Sequence, residues 1–101
     1  MANKATPNID EEIISQVGLQ LAKKSALNVS ADPASRVFEY PLLDNVFVME
    51  SDLYGNIMPP GSCFLAFKGR NGWIGKHLKI DTLKYASVED IKRLVDNNHE
   101  G

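Results

Sequence analysis

The stretch from Ser62 to Thr82 constrains the fold most, because it has the pattern of a β-hairpin. Its first strand, residues 62–68, carries apolar side chains at both alternating positions, which is typical of a strand buried on both faces. An Asn-Gly pair follows at residues 71–72, and such a pair accepts the positive φ angles that close short hairpins. The return strand, from Trp73 to about Thr82, alternates apolar and polar residues, which indicates one dry and one wet face. We therefore expect the first strand to lie inside a sheet and the second nearer an edge.

A long amphipathic helix is predicted ahead of the strands. Residues 1–7 are small or polar and are expected to form a mobile arm. Asn8 is a suitable N-cap, and apolar residues at helical spacing then predict a helix from about Ile9 to Ala26. Small side chains spaced four apart form a strip beside the apolar face of this helix: Gly18, Ala22 and Ala26. We expect the sheet or the second helix to cover this strip, with a dimer contact as the alternative.

Two shorter strands and a second helix complete the pattern. The segments Arg36–Tyr40 and Asn45–Glu50 alternate in polarity and are joined by a short connection, which predicts a pair of strands. Residues 51–61 contain two turn signals, so we expect a structured loop or a very short strand there. After the hairpin, Ser87 is a suitable N-cap for a helix that ends near Asn97.

The order of these elements predicts an α+β fold in a single domain, residues 8–97, followed by a frayed tail at 98–101. We expect one antiparallel sheet of about four strands in meander order, with the long N-terminal helix and the short C-terminal helix packed on one face. One layer of helices covers only one side of a sheet. Phe64, Ala66 and Trp73 are therefore expected on a second, partly open apolar face.

Composition and charge narrow the classes of function. The chain has 101 residues, of which 44% are hydrophobic and 24% charged, which suffices for one globular domain. A net charge of -2 argues against nucleic-acid binding through overall charge. No run of 18 apolar residues or signal-peptide pattern occurs, so we expect a soluble, cytoplasmic protein with no membrane partner. The lone Cys63 is expected to be a buried, unreactive thiol.

Motifs for catalysis or cofactor binding are missing from the sequence. It contains no Gly-rich phosphate loop, HExxH, CxxC or GxSxG, and one Cys and two His argue against a His/Cys metal site. We therefore expect neither metal nor cofactor. A catalytic role for His77 with Asp81 would place the two about 13 Å apart along a strand, too far for a hydrogen bond. No motif in the hairpin identifies a family.

The order of the charges is more informative than their sum. Between Leu53 and Ile80 there is no Asp or Glu, and the charged residues are all basic: Lys68, Arg70, Lys76 and Lys79. Residues 39–52 carry only acidic charges. Either neighbouring strands complement each other, or the hairpin meets an anionic partner. That partner would be an acidic protein surface, with a nucleic-acid backbone as the less favoured choice.

Two hypotheses of function follow. The first is a non-enzymatic interaction protein that forms a homodimer, because of the two-faced strand and the small-residue strip, and that binds an anionic protein. The second is a small-ligand binding domain, or an unusual enzyme, with a pocket between the helices and the sheet near Tyr40, Tyr54 and Trp73. A flat apolar patch would favour the first, and convergent polar groups in a pocket the second. The candidate binding residues for the two hypotheses together are Arg70, Trp73, Lys76, His77, Tyr40 and Tyr54.

Overall fold

The computed structural model describes residues 9–22 and 35–98. This part of the chain forms three helices and five strands, and the predicted α+β class is confirmed. The strands make one antiparallel sheet in the meander order β1-β2-β3-β4-β5, with one strand more than expected. No helix in the described ranges is long and apolar enough to cross a bilayer. The elements in chain order are α1 (Glu11–Val17), β1 (Gln20–Leu21), β2 (Val37–Glu39), β3 (Val46–Met49), β4 (Ser62–Gly69), β5 (Gly72–Lys79), α2 (Ile80–Tyr85) and α3 (Val88–Asn97).

The hairpin of β4 and β5 has the longest strand pairing in this sheet. Every residue of β4, from Ser62 to Gly69, has a partner in β5. Residues 70–71 form the turn, and Gly72 closes it with φ 133°, a backbone angle that L side chains rarely adopt. As predicted, β4 lies inside the sheet and β5 lies at its end.

The sheet buries apolar side chains on both of its faces. All three helices contribute to the larger cluster, through Ile13, Leu83 and Ile91 among others, so the helices share one face, which we call the helix side. The opposite side, which we call the outer face, carries a smaller buried cluster that receives partly buried Phe64 and Trp73. The predicted second apolar face is thus confirmed. Its buried members are Val37, Phe47, Met49 and Ala66.

The prediction of a long N-terminal helix is wrong. The helix α1 ends at Val17, because Gly18 takes the left-handed conformation with φ 78° and its N–H donates to the Ile14 carbonyl. The chain then enters β1, which pairs with β2. Gly18 and Ala22 therefore do not form a strip on a helix, and Ala26 lies outside the described residues.

Capping explains where the helices start. The N-cap of α1 is Asp10, whose carboxylate accepts a hydrogen bond from the Ile13 N–H at 3.1 Å. The predicted cap Asn8, the predicted arm 1–7 and residues 99–101 lie outside the described part of the chain. The predicted C-terminal helix is confirmed as α3, with a capping box between Ser87 and Asp90.

The return strand ends three residues earlier than predicted. It stops at Lys79, and Ile80 begins the additional helix α2. Ile80 was expected to continue the strand because its apolar side chain fits the alternating pattern. It fits a helix equally well, because Leu83 lies three residues on and both side chains are buried.

Cys63 lies in the middle of the sheet on the helix side. Its exposed fraction is 0%, which confirms the predicted burial. Burial raises the pKa of the thiol to about 12. Very little thiolate is therefore present at neutral pH, and the thiolate is the reactive form.

Candidate functional site

An open trough of about 480 Å³ lies on the outer face beside the β4–β5 hairpin. One side of the trough comes from the loop that follows β3, and the rest comes from the hairpin itself. Five of the eight lining residues have aromatic or aliphatic side chains, and polar atoms make up nearly half of the exposed lining. Such a mixture of apolar area with polar groups is common at binding surfaces. The lining residues are Leu53, Tyr54, Phe64, Asn71, Gly72, Trp73, Ile74 and Gly75.

The base of the trough depends on a close contact between Phe64 and Gly75. A Cβ atom at position 75 would lie 2.0 Å from the Cε2 and Cζ atoms of the Phe64 ring. The ring therefore lies over the backbone of the edge strand, in space that a side chain at this position would occupy. A glycine is needed here for close approach. The outer face of β5 is therefore apolar at its middle, where the Phe64 ring lies over Gly75 and the strand itself projects no side chain.

Trp73 is fixed from two directions while remaining partly exposed. Its ring meets the Phe47 ring edge to face, with centroids 5.7 Å apart and an interplanar angle of 64°. The Lys68 Nζ atom lies 5.4 Å from the centroid of the Trp73 ring, and the two residues are direct cross-strand partners. An ammonium group over an indole face is a favourable cation–π contact. The trough therefore has an aromatic group and a positive charge at the turn end of the hairpin.

Tyr54 is presented by a loop that is held by its own hydrogen bonds. The Asp52 carboxylate accepts from the N–H of Tyr54 at 2.8 Å and from the N–H of Asn56 at 2.9 Å. It also accepts from the Asn56 side-chain amide at 3.1 Å. Burial alone would raise the pKa of Asp52, but these hydrogen bonds lower it. Tyr54 is nevertheless 86% exposed, so an aromatic ring stands in solvent on a preorganised loop.

The cations of the hairpin lie mainly on the same side as the trough. By register, Lys68 and Lys79 share the outer face with Phe64 and Trp73, and both are exposed. The side chain of His77 is on this face too, and it is also exposed. Arg70 is exposed in the turn. Lys76 differs, because it pairs with Leu65 and is thereby placed on the helix side.

The acidic residues just before the hairpin have partners elsewhere. Glu50 forms an ion pair with Arg36 at 2.9 Å, and Asp52 serves its own loop. In addition, β4 lies between β3 and β5, so the acidic segment and the cations of β5 are not on adjacent strands. Charge pairing of Glu50 and Asp52 with the hairpin therefore does not explain why the hairpin is basic.

The six predicted site residues do not form one site. Trp73 and Tyr54 line the same trough, with Arg70 and His77 on the same hairpin. Tyr40 is only 3% exposed in the helix-side core, where burial raises its pKa. The proposed pocket between helices and sheet near Tyr40, Tyr54 and Trp73 is thus not formed by these residues together.

Sequence reasoning missed two residues that shape the trough. Asp52 was grouped with the acidic residues, although Asp followed two positions later by Tyr-Gly-Asn is a signal for a side-chain-stabilised turn. Gly75 was counted as a polar position of the strand. Its contact with Phe64 depends on the register between β4 and β5, which no local pattern shows.

Comparison with protein-family models, with curated proteins and with solved structures finds no match for this chain. Within residues 9–22 and 35–98, no group of three His, Cys, Asp or Glu side chains is placed to hold a metal ion. The trough and the charges beside it are therefore the features of the molecule that bear on function.

Proposed function

We propose that this chain is a non-enzymatic binding domain whose trough holds an acidic segment of a partner protein. The observation that supports this proposal is the meeting of exposed Tyr54 and half-buried Trp73 with a set of cations on one face of an edge hairpin. Tyrosine, tryptophan and arginine are the residue types that most often dominate binding energy at protein interfaces. The absence of Asp and Glu from residues 54–79 makes an acidic partner the complementary one.

The two kinds of side chain have different roles in this proposal. Burial of the rings of Tyr54 and Trp73 supplies apolar contact area and therefore most of the affinity. The cations orient the partner and raise the association rate, an effect that salt screens. Because Asp52 already orders the loop that carries Tyr54, little conformational entropy has to be lost on binding.

A second copy of the chain is the other occupant to consider. Homodimerisation was predicted from the small-residue strip and from the second apolar face of β4. The strip does not lie on a helix, and Ala66 and Met49 are already fully buried on the outer face. Neither feature now supports self-association, and homodimerisation stays a prediction that a measurement of mass decides.

The proposal is tested with an acid-rich random peptide library, from which binders are selected on the full chain. Affinity of a selected peptide should fall as salt rises from about 50 to about 300 mM, because the Debye length shortens. Lys68→Glu or Arg70→Glu should weaken binding by about 1 to 3 kcal/mol with the fold intact. Lys92→Glu is the matched control, since Lys92 is an exposed cation on α3. The affinity of the Lys92→Glu variant for the peptide should stay within about twofold of the wild-type affinity, since this variant alters the net charge but no residue of the trough.

Two binding results would contradict the proposal, and a third, from the control variant, would show that it has the wrong physical cause. One is failure to select any acid-rich peptide that binds in a salt-dependent way. The other is tight binding of a single-stranded poly-uridine RNA that competes with the peptide and is lost in Lys68→Glu, which would identify the hairpin as a nucleic-acid surface. Equal weakening by Lys68→Glu and Lys92→Glu would show that only net charge matters.

A further inference from the structure

The backbone of β5 has a hydrogen-bonding edge directed away from the sheet. In an antiparallel pair, alternate residues direct their N–H and C=O groups to the partner strand, and the residues between them direct theirs to the other side. The Ile80 N–H donates to the Gly61 carbonyl at 3.0 Å, which fixes the even-numbered residues of β5 as those that face β4. The backbone groups of Trp73, Gly75 and His77 therefore point outward.

A second hydrogen bond supports this assignment. The Lys68 N–H donates to the Asn45 carbonyl at 3.3 Å, so Lys68 directs its backbone toward β3. Its cross-strand partner Trp73 must then direct its own backbone away from β4. Among the described residues, no strand pairs with this outer edge of β5. Eight residues make it a long edge, and long edges are templates for pairing with another chain.

We propose that an extended acidic segment of the partner adds to this edge as a sixth strand and lies along the trough. The inference rests on the proposed function and states how the partner is held. Main-chain hydrogen bonds to Trp73, Gly75 and His77 would supply affinity, and the neighbouring side chains would supply specificity. Contact from residue 73 to residue 79 spans about 20 Å, which matches a partner segment of about seven residues.

The side chains on both sides of the edge fit such a strand. On the outer face, Gly75 has no side chain and the Phe64 ring lies beside it, so a partner side chain can lie there between Trp73 and His77. On the helix side, alternate side chains of the partner would come close to Lys76. An acidic residue of the partner opposite Lys76 would pair with this half-buried cation, which does not line the trough.

The same cations disfavour a second copy of the chain at this edge. Pairing β5 with β5 of another copy about a two-fold axis brings Lys76 and Lys79 of both copies into one short ladder. Like charges directly opposite each other destabilise a strand pair, and lysines on edge strands are a common protection against self-pairing. The edge therefore discriminates in favour of an acidic strand.

The first experiment uses a peptide of about seven residues, selected on the full chain from the acid-rich library, and methylates its backbone nitrogens one at a time. Strand addition predicts a loss of about tenfold or more at alternate positions, whose N–H groups donate to β5, and a much smaller loss between them. Retained binding with no alternation would overturn strand addition and leave the proposed function standing. Failure of every acid-rich peptide to bind would overturn both.

The second experiment changes the edge of the domain. His77→Pro removes one outward N–H without removing a bond to β4, and edge strands tolerate such a proline. We expect about tenfold weaker peptide binding from His77→Pro and a clearly smaller loss from His77→Ala, which removes the side chain and keeps the outward N–H. Wild-type affinity of a folded His77→Pro variant, or equal losses in both variants, would contradict strand addition.

Hydrogen exchange gives an answer even if the proline variant does not fold. In the free wild-type chain, the amides of Trp73, Gly75 and His77 should exchange faster than those of Ile74 and Lys76, which donate to β4. A saturating amount of the selected peptide should slow the three outward amides. If they exchange at unchanged rates in the complex, the peptide does not pair with the edge.

Discussion

Replacing Glu50 with glutamine should remove the charge that joins the start of α1 to the sheet. The Glu50 carboxylate accepts hydrogen bonds from the N–H of Ile9 and the N–H of Arg36, each at 3.1 Å. It is also paired with the Arg36 guanidinium at 2.9 Å, and that guanidinium donates to the Ile9 carbonyl. Ile9 itself is fully buried. One carboxylate therefore holds together the end of β3, the segment before β2 and the segment before α1.

The expected loss follows from these contacts. Each carboxylate oxygen accepts from one backbone N–H and from the guanidinium, so an amide NH₂ in either place faces donors only. Removal of one partner of a buried ion pair costs about 3 to 5 kcal/mol. The Arg36 side chain is 34% exposed and regains part of its hydration, so we expect a loss of about 2 to 3 kcal/mol for Glu50→Gln. For a domain of this size, Tm should fall by about 10 to 20 °C.

The assay is urea unfolding followed by the fluorescence of Trp73, the single tryptophan. The control is Glu39→Gln, which changes an exposed glutamate in β2 and should alter stability by less than about 0.5 kcal/mol. A loss below about 0.5 kcal/mol for Glu50→Gln at neutral pH would refute the reasoning.

The pH dependence provides a second check. Burial by itself would raise the pKa of Glu50, but the hydrogen bonds from Arg36 and Ile9 outweigh it and lower the pKa. The stabilisation is therefore fully present above the unfolded pKa of about 4.3 and is lost as pH falls through the lower folded pKa. The difference between wild type and Glu50→Gln should stay constant from pH 7 to about 5 and shrink at lower pH. A difference that is unchanged at about pH 3 would contradict the assigned role of the charge.

Three further measurements test other parts of the structure. Cys63, whose pKa burial raises to about 12, should react with a thiol reagent far more slowly in the native chain than in urea, and equal rates would show that the thiol is accessible. Gly75→Ala should cost about 1 to 3 kcal/mol and weaken peptide binding, because its Cβ displaces the Phe64 ring. Phe64→Leu in the same chain should recover part of the stability, whereas additive losses would exclude the contact. Light scattering at about 100 µM tests homodimerisation, and a monomeric mass would contradict it.

Local patterns predicted the hairpin and α3 well because each has strong signals at its ends. Asn71 and Gly72 mark the turn, and the capping box at Ser87 marks the helix start. The end of α1 was missed because apolar spacing continues to Leu21, although Leu21 is 71% exposed in the structure. A glycine within a helix costs only about 1 kcal/mol, so the pattern alone did not identify Gly18 as a cap.

Sequence patterns identified only some of the residues at the trough, and the reason is geometric. Trp73 and Tyr54 were identifiable as candidate binding residues, since each is an aromatic residue next to a glycine in a turn. Tyr40 was predicted to lie near them, and this is wrong. Alternation within a strand shows that its side chains lie on two faces, but it does not show which of these faces is on the same side of the sheet as a given face of the next strand. The register through β3 and β4 supplies this information and places Tyr40 on the helix side, among the core residues.

The folding of the hairpin and the binding that we propose for it use different halves of its backbone. Bonds from Ile74, Lys76 and Leu78 to β4 hold the sheet together, and the outward groups of the residues between them contribute nothing to this ladder. Substitutions that act on the outward groups should therefore change binding more than stability. The contact of Phe64 with Gly75 is the exception, because the ring packs against the outer-face cluster and also lines the trough. A variant at this contact should lose both properties together. This coupling distinguishes it from Lys68→Glu, which loses one exposed cation–π contact and should therefore weaken binding more than stability.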